Sequence, residues 1–314
     1  MVKRILLATP RGYCAGVERA IETVEQALRQ RGAPVYVRKR IVHNTHVVRE
    51  LEGRGAIFVG SEEDAPTGAE IVFSAHGVSP AVRANARRLG LRTIDATCPL
   101  VTKVHSEVRR FAARGYSIVL IGHAGHEEVE GTFGEAPEAI VLVENIDQAR
   151  VLELPRDRPL AYVTQTTLSV DETETIIGVL QARFPAIEAP RREDICYATT
   201  NRQRAVKRIL GGIDLLLVLG SADSSNSKRL VEVARRDDVT AHLIEDESEI
   251  EESWLSGVET VGITCGASAP EVLVRRVVSW FRARGDVVVE TASGEEENVS
   301  FKLPAELGAR ATAA

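Results

Sequence analysis

Three of the four cysteines divide the chain into rough thirds, and this spacing is the strongest constraint on its fold. Cys14, Cys98 and Cys196 are 84 residues (14 to 98) and 98 residues (98 to 196) apart. Each follows a strand-like segment: RILLATP (4–10), LRTIDAT (91–97) and a weaker one, AIEAPRREDI (186–195). Each also precedes apolar residues at helical spacing, so every cysteine is predicted between a strand end and a helix start.

The segments after each cysteine recur in the same order. A strand-like run leads into a polar loop at matching offsets, with His43, His126 and Ser224 at 29, 28 and 28 residues after the cysteine. Two more strand-like runs follow in each third, and the last of them leads to His76, Thr166 and Ser268. The repeat predicts an α/β protein of three small lobes with mainly parallel sheets. The alternative is a shared strand–helix rhythm in which the cysteines are small buried hydrophobes.

The predicted lobes are residues 15–98, residues 99–192, and residues 193–290 together with 1–14, followed by a C-terminal extension at 291–314. A chain of 314 residues is long enough for two or three packed lobes. Ligands of open α/β sheets bind beyond the carboxyl ends of the strands. Lobes packed with those ends inward would bring the three thiols together. The terminal ATAA (311–314) is expected to be disordered.

Composition excludes several classes of function. A net charge of -6 gives no overall attraction to nucleic acid or anionic lipid, and 4% aromatic residues are too few for rows of base-stacking platforms. No apolar stretch approaches 18 residues, which predicts a cytoplasmic protein without a membrane span. The absence of a C-x-x-C pair argues against a disulfide framework or a zinc ribbon.

Three thiolates at one centre would form a site for a soft metal. A helix start is expected to lower the thiol pKa through the helix dipole. Structural zinc would need a fourth ligand, which His126 or Cys265 could supply. A 4Fe-4S cluster held by three cysteines would instead leave one iron open to substrate. The spacing of the cysteines fits both metals.

Two polar segments supply further chemistry. GHAGHEEVEG (122–131) places His126 and Glu128 in one loop, where an imidazole can relay protons and a desolvated carboxyl group can act as an acid. Glu127 is interpreted as a solvated charge. GSADSSNS (220–227) presents hydroxyl and amide donors beside a helix start, which is suited to an anion.

Nine sequence blocks resemble the 4-hydroxy-3-methylbut-2-enyl diphosphate reductase family, which catalyses the last step of the non-mevalonate isoprenoid pathway. In order they are PRGYCAGVERAI, VHNTHVV, SAHGVSP, DATCPLVTKVH, GHEEVEGT, TQTTLSVDET, DICYATTNRQ, GSADSSNS and GASAPE. The match spans roughly residues 4 to 304 and extends into the late segment GEEENVSFKLPAEL.

The resemblance implies a trefoil of three α/β lobes around a central iron–sulfur cavity. It implies a 4Fe-4S cluster bound by Cys14, Cys98 and Cys196, with an open apical iron. The implied reaction removes the hydroxyl of (E)-4-hydroxy-3-methylbut-2-enyl diphosphate with two electrons and two protons. The products are isopentenyl and dimethylallyl diphosphates, and the implied electron donor is a ferredoxin or flavodoxin.

The resemblance also implies the roles of individual side chains. Glu128 matches the proton donor, and Thr166 matches an active-site threonine with Thr167 beside it. The matching diphosphate contacts are His43, His76, His126, Ser224, Ser225, Asn226 and Ser268, with His126 also in the catalytic set. Because this set contains no Lys or Arg, histidines and neutral donors must neutralise the diphosphate. Substrate affinity is therefore expected to fall above about pH 7, the ordinary titration range of imidazole.

Two features lie outside the matched set. Cys265 is expected to be a buried strand thiol, and not a ligand. Six basic residues surround Cys196 in the sequence: Arg191, Arg192, Arg202, Arg204, Lys207 and Arg208. They are interpreted as a docking patch for an acidic electron donor or as a solvated helix face. The competing functions are an iron–sulfur redox sensor or electron carrier, and a zinc-stapled binding protein.

Overall fold

A computed structural model describes residues 2–155 and 157–308. These residues form the strands β1 Arg4–Leu7, β2 Val35–Arg38, β3 Ala56–Val59, β4 Glu70–Phe73, β5 Arg92–Asp95, β6 Ser117–Ile121, β7 Ile140–Val143, β8 Leu160–Thr164, β9 Leu215–Leu219, β10 Thr240–Ile244, β11 Thr260–Cys265 and β12 Val288–Thr291. The helices are α1 Ala15–Arg31, α2 Thr45–Gly53, α3 Pro80–Arg88, α4 Pro99–Ala113, α5 Glu127–Phe133, α6 Ile146–Val151, α7 Val170–Arg183, α8 Tyr197–Leu210, α9 Ser225–Arg236, α10 Glu271–Arg282 and α11 Ala305–Gly308. The tail expected to be disordered, 311–314, lies outside the described residues.

The strands form three parallel sheets, with the orders β3-β2-β4-β5, β7-β6-β8 and β10-β9-β11-β1-β12. The same three-strand unit recurs in each, because β2, β6 and β9 each pair with the next two strands of the chain. Helices connect these strands, as parallel pairing requires. The prediction of three α/β lobes with parallel sheets is confirmed; the lobe boundaries stay a prediction.

The strand before each cysteine is formed in two of the three thirds. β1 pairs with β11, and β5 pairs with β4. The strand predicted at 186–195 is wrong, since only one isolated bridge joins Ala161 to Glu188. The carbonyls of Arg192 and Glu193 accept hydrogen bonds from Lys103 Nζ, so a side chain occupies acceptors that a strand would present to its neighbour.

The five-stranded sheet is apolar on both faces because helices cover both. On one face, Leu217 packs in a cluster with Val277 of α10. On the other, Leu216 packs with Val206 of α8. All five residues of β9 are buried, which explains its uninterrupted apolar sequence.

The chain forms two compact units. The first comprises residues 1–17, 43–47 and 197–299 and contains the five-stranded sheet. The second comprises residues 18–42, 48–196 and 300–314 and contains the other two sheets. Among the described residues, the helices are all too short or too polar to cross a membrane.

Candidate active site

In the second unit, a buried carboxyl group is bonded twice to one threonine. Glu128 is 2% exposed and lies in the first turn of α5. Its Oε1 accepts from the backbone N–H of Thr166 at 2.6 Å, and its Oε2 accepts from the Thr166 hydroxyl at 2.9 Å. Thr166 follows the end of β8, so a strand terminus and a helix start fix this pair. Glu128 is thus helical, and the prediction that it lies in a loop is wrong.

Burial raises the pKa of Glu128 to about 7, although both hydrogen bonds from Thr166 favour the charged form. The charge of His105 also lowers this pKa, and that of Asp194 raises it. The effect of desolvation on this pKa is larger than the effect of the hydrogen bonds and of the His105 charge, because the carboxyl group has almost no access to water. A carboxyl group with this pKa carries a proton in a large fraction of molecules at neutral pH, so it can donate one.

His126 caps the helix that carries Glu128. Its Nδ1 accepts a hydrogen bond from the backbone N–H of Glu128 at 3.2 Å. A ring nitrogen that accepts cannot also carry a proton, so in this arrangement the neutral ring has its N–H at Nε2. In this tautomer Nε2 is the hydrogen-bond donor of the His126 ring, on the N-cap residue two positions before Glu128.

His76 lies beside His126, with the ring centroids 5.8 Å apart and the planes nearly perpendicular. Its Nδ1 is 3.2 Å from Glu127 Oε2 and 3.3 Å from the Ser74 hydroxyl. The interpretation of Glu127 as a solvated charge is wrong, because its side chain is only 15% exposed. Nothing in the sequence distinguishes it from Glu130, which is 54% exposed and pairs with Lys39.

Two of the predicted metal ligands belong to this unit. Cys98 is the N-cap residue of α4, and its N–H donates to Ala75 O at 3.0 Å. The N–H of Cys196 donates to Thr166 O at 3.0 Å. Thr166 is therefore bonded to both Glu128 and Cys196. The neighbouring Thr167 accepts through its hydroxyl from Gln165 Nε2 at 3.0 Å.

In the first unit, the polar segment after β9 forms a tight turn into α9. Ser224 is the N-cap, and its hydroxyl accepts from the N–H of Ser227 at 3.3 Å. The Ser227 hydroxyl donates to Ser224 Oγ at 3.0 Å. A Cβ at Gly220 or at Gly266 would lie 2.1 Å from the Ser227 hydroxyl oxygen. Only glycines at both positions leave room for this serine, which sequence reasoning did not identify.

The other predicted anion contacts of this unit form a hydrogen-bonded network. Asn226 Nδ2 donates to the Thr199 hydroxyl at 3.3 Å, and its Oδ1 accepts from the Ala267 N–H at 2.9 Å. The Ser268 hydroxyl donates to His43 O at 2.8 Å. His43 Nδ1 is 3.3 Å from the carboxylate of Asp223. Ser225, the first residue of α9, is half-buried. The turn therefore carries donors next to a helix N-terminus, as an anion site requires.

Cys14 is joined to this network, because its N–H donates to Ala267 O at 3.2 Å. Burial raises the pKa of the Cys14 thiol, while the N–H groups of Val17 and Gly16 and the charge of Arg202 lower it less. The expectation of a lowered thiol pKa at this helix start is therefore wrong in sign. Because the thiolate form is disfavoured at Cys14, a nearby cation would be needed to stabilise it, and a bound metal would supply that charge.

The donor set fits a soft metal or an iron–sulfur cluster. Cys14, Cys98 and Cys196 are partly exposed, each stands directly before a helix, and the described residues contain no disulfide. Cys265 differs, since it is fully buried at the end of β11 and burial raises its pKa to about 12. The prediction of a buried strand thiol at 265 is confirmed.

Only some of the basic residues around Cys196 are exposed at the surface. Arg202 is 0% exposed and bonds to carbonyls within the first unit, so its assignment to a docking patch is wrong. Arg204, Lys207 and Arg208 lie exposed on α8, and Arg208 pairs with Glu295 at 3.1 Å. Arg191 and Arg192 are exposed in the second unit.

Comparison with known proteins decides the family. A family model described as LytB protein matches residues 5–282. The chain belongs to the LytB family. One LytB relative, named 4-hydroxy-3-methylbut-2-enyl diphosphate reductase, comes from Acidothermus cellulolyticus and is 57% identical over 97% of this chain and 90% of its own length. Another of that name, from Bordetella pertussis, is 56% identical over 96% of this chain and 92% of its own length.

Solved LytB-type structures share the fold. The reductase from Plasmodium falciparum, named for E-1-hydroxy-2-methyl-but-2-enyl-4-diphosphate, superimposes with a TM-score of 0.95 at 42% identity, covering 98% of both chains. A second structure, described as (E)-4-hydroxy-3-methyl-but-2-enyl diphosphate reductase, the terminal enzyme of the non-mevalonate pathway, has a TM-score of 0.62 at 31% identity. It covers 90% of this chain and 100% of that one. The resemblance to this LytB enzyme family is confirmed.

Proposed function

We propose that this protein reductively removes the hydroxyl group of (E)-4-hydroxy-3-methylbut-2-enyl diphosphate. The substrate takes up two electrons and two protons, its C–O bond breaks, and water leaves with isopentenyl or dimethylallyl diphosphate. The observation that carries the proposal is the Glu128–Thr166 pair, a dry carboxyl group with a pKa of about 7. An electron carrier or redox sensor has no use for such a proton donor.

A 4Fe-4S cluster held by Cys14, Cys98 and Cys196 would supply the electrons and one open coordination position. Its thiolate ligands would each come from the residue that directly precedes a helix. The desolvated Cys14 thiol supports this assignment, because metal coordination removes the cost of a poorly hydrated thiolate. Cys265 is not proposed as a ligand, because it is fully buried at the end of β11, whereas the three proposed ligands are partly exposed and directly precede helices.

The diphosphate would be held without Lys or Arg side chains. The neutral donors proposed for it are Ser224, Ser225, Asn226 and Ser268. The proposed imidazoles are His43, His76 and His126. His43 and His76 have carboxylates at 3.3 and 3.2 Å, which would form ion pairs with protonated rings. Binding therefore depends on the protonation of histidines as well as on helix-terminal donors.

Glu128 would deliver the proton to the departing hydroxyl group. Its Oε2 accepts from the Thr166 hydroxyl, so Thr166 can orient the carboxyl group or pass the proton on. Thr167 directly follows Thr166 in the chain and is proposed to contact the substrate. After Glu128 has donated its proton, the remaining buried carboxylate is stabilised by two hydrogen bonds from Thr166. A proton from solvent then returns the carboxyl group to its neutral form.

The test is anaerobic turnover of the substrate with a chemical reductant, with iron and sulfide analysis of the same sample. We expect brown protein with about four irons and activity that forms both products. Protein containing zinc and no sulfide, or iron-loaded protein that leaves the substrate unreduced, would overturn the proposal. A ferredoxin or flavodoxin is the proposed physiological donor, to be tested in place of the chemical reductant.

A further inference from the structure

Each helix that follows one of the three cysteines carries a basic residue in its second turn. These residues are Arg19 in α1, Lys103 in α4 and Arg202 in α8, at five, five and six positions after the cysteine. Side chains of an α-helix lean toward its N-terminus, so long side chains here reach back toward the start of the helix. None of the three is among the residues proposed to bind metal or substrate.

Arg19 bonds to the segment before Cys98. Its Nη1 donates to Thr97 O at 3.1 Å, and its Nη2 lies 3.4 Å from Asp95 O. Its Nε donates to Lys302 O at 2.7 Å. Within the part of the chain that the structure describes, this guanidinium bonds only to carbonyl oxygens and has no carboxylate in ion-pair range.

Lys103 bonds to the segment before Cys196. Its Nζ donates at 2.6 Å to the carbonyls of both Arg192 and Glu193. It also forms a 2.9 Å ion pair with Asp194, whose side chain is fully buried. Asp194 accepts in turn from the N–H of Thr164 at the end of β8.

Arg202 bonds to the segment before Cys14. Its Nη2 donates to Gly12 O at 2.7 Å and to Tyr13 O at 3.2 Å, and its Nε donates to Gly12 O at 3.1 Å. Glu297, 14% exposed, pairs with the same guanidinium at 3.1 Å. Arg202 itself is completely buried, so every donor that it presents must be satisfied by protein.

The three contacts form a cyclic pattern, in which the helix after each cysteine bonds to the segment before another one. The helix after Cys14 holds the segment before Cys98, the helix after Cys98 holds the segment before Cys196, and the helix after Cys196 holds the segment before Cys14. Cations are unfavourable near helix N-termini because the dipole is positive there. Each of the three cations lies near the start of one helix, so its charge needs compensation, which carbonyl oxygens and metal-bound thiolates would both provide.

We propose that Arg19, Lys103 and Arg202 are positioning residues that fix the backbone on which the three metal-binding cysteines stand. The inference rests on the proposed function, since it concerns the ligands of that cluster. Each cation bonds to backbone carbonyls just before a cysteine, so the thiols would be held in place before iron binds. Groups that orient metal ligands in this way contribute strongly to metal retention.

The three cations differ in whether a carboxylate lies beside them. This difference predicts different effects on the reduction potential of the cluster, which is a second measurement besides iron release. Lys103 and Arg202 have carboxylate partners, whereas Arg19 has only carbonyl partners. Replacing Arg19 therefore removes a charge that no carboxylate balances. Loss of positive charge near a cluster disfavours its reduced state, so the reduction potential should fall most in the Arg19 variant.

The experiment uses the anaerobically purified holoenzyme and the variants Arg19→Gln, Lys103→Gln and Arg202→Gln. We measure the rate of iron transfer to an excess of a ferrous chelator, and the reduction potential by redox titration followed with electron paramagnetic resonance. Each variant is expected to release iron at least about tenfold faster than the wild type. The potential is expected to fall more in Arg19→Gln than in Lys103→Gln.

The matched controls are Arg29→Gln on α1 and Arg204→Gln on α8, both exposed basic residues of the same helices. They should release iron at the wild-type rate. If Arg202→Gln does not fold, Glu297→Gln keeps the guanidinium and removes its counter-ion, and it is expected to raise the potential and to speed iron release.

Two results would overturn the proposal: iron release within about twofold of the wild type in the variants, or an unchanged potential in Arg19→Gln. A wild-type protein that holds its cluster but fails to reduce the substrate would count against the proposed function alone.

Discussion

Replacing Glu128 by Gln should make the iron-free protein more stable at alkaline pH while it slows turnover. The carboxyl group is buried, and its pKa is raised to about 7 from a value of 4.5 for an exposed group. Below pH 4.5 it is protonated in folded and unfolded chains alike, so it costs nothing. Between pH 4.5 and pH 7 the unfolded chain loses this proton while the folded chain keeps it, so stability falls over that range and stays at the lower value above pH 7.

A shift of this size corresponds to about 3 kcal/mol at about 1.4 kcal/mol per pKa unit. Glutamine does not titrate, and it preserves the geometry. Its amide oxygen can accept from the Thr166 N–H, and its NH2 group can donate to the Thr166 hydroxyl. The stability of Glu128→Gln relative to the wild type should therefore rise by about 2 to 3 kcal/mol between pH 5 and pH 8.5.

Urea unfolding of both iron-free proteins at several pH values measures this difference, because other titrating groups cancel between them. Steady-state kinetics of the loaded enzymes completes the test. Loss of the proton donor should lower kcat by about 100-fold or more, with KM little changed. A stability difference that does not vary with pH would refute the raised pKa, and with it the assignment of Glu128 as the donor at neutral pH.

Four further predictions concern the metal, the anion site and the surface. Cys98→Ala should lose the cluster, whereas Cys265→Ala should retain its iron content, as measured by metal analysis. Diphosphate affinity, measured by calorimetry, should decrease between pH 6 and pH 8.5; a constant value would show that no histidine charge is involved. Gly266→Ala places a methyl group 2.1 Å from a buried hydroxyl oxygen, and it should cost about 1 to 3 kcal/mol of stability and weaken diphosphate binding. Gly178→Ala, in open space on α7, is its control and should be neutral or stabilising by up to about 1 kcal/mol. Reduction by a ferredoxin should be strongly salt-dependent, and Arg204→Glu should abolish that dependence; an unchanged salt response would exclude α8 as the docking face.

The repeat was readable from the sequence because strand and helix periodicities are local. The runs that became β2, β6 and β9 are apolar and end at polar loops, and they form the centre of the same three-strand unit in each sheet. The prediction of a strand at 186–195 fails because backbone acceptors of this segment bond to Lys103, a residue about 90 positions earlier. No local pattern reports such a contact.

The same limit applies to individual charges. Arg202 resembles its exposed neighbour Arg204 in sequence, yet it is buried because Gly12 and Glu297 meet it from distant parts of the chain. The prediction that Glu127 is a solvated charge fails for the same reason, since its partner His76 lies 51 positions away. The residue types at motif positions indicate the chemistry of the site. The burial and the pKa of each side chain depend on contacts that only the folded chain provides.

The place of β1 in its sheet also determines when the site can form during biosynthesis. This strand is made first, yet it lies between β11 and β12, and Arg4 is in register with Thr260 on one side and Val288 on the other. Until the ribosome has made those strands, β1 has no strand partner, and Ala267, whose carbonyl accepts from the N–H of Cys14, has not yet been synthesised. Pairing over such sequence separations is slow and leaves apolar segments exposed to aggregation in the meantime. The proposed cluster could therefore be completed only after almost the whole chain has been synthesised, and a polypeptide stalled before β11 would leave its thiols without that cluster.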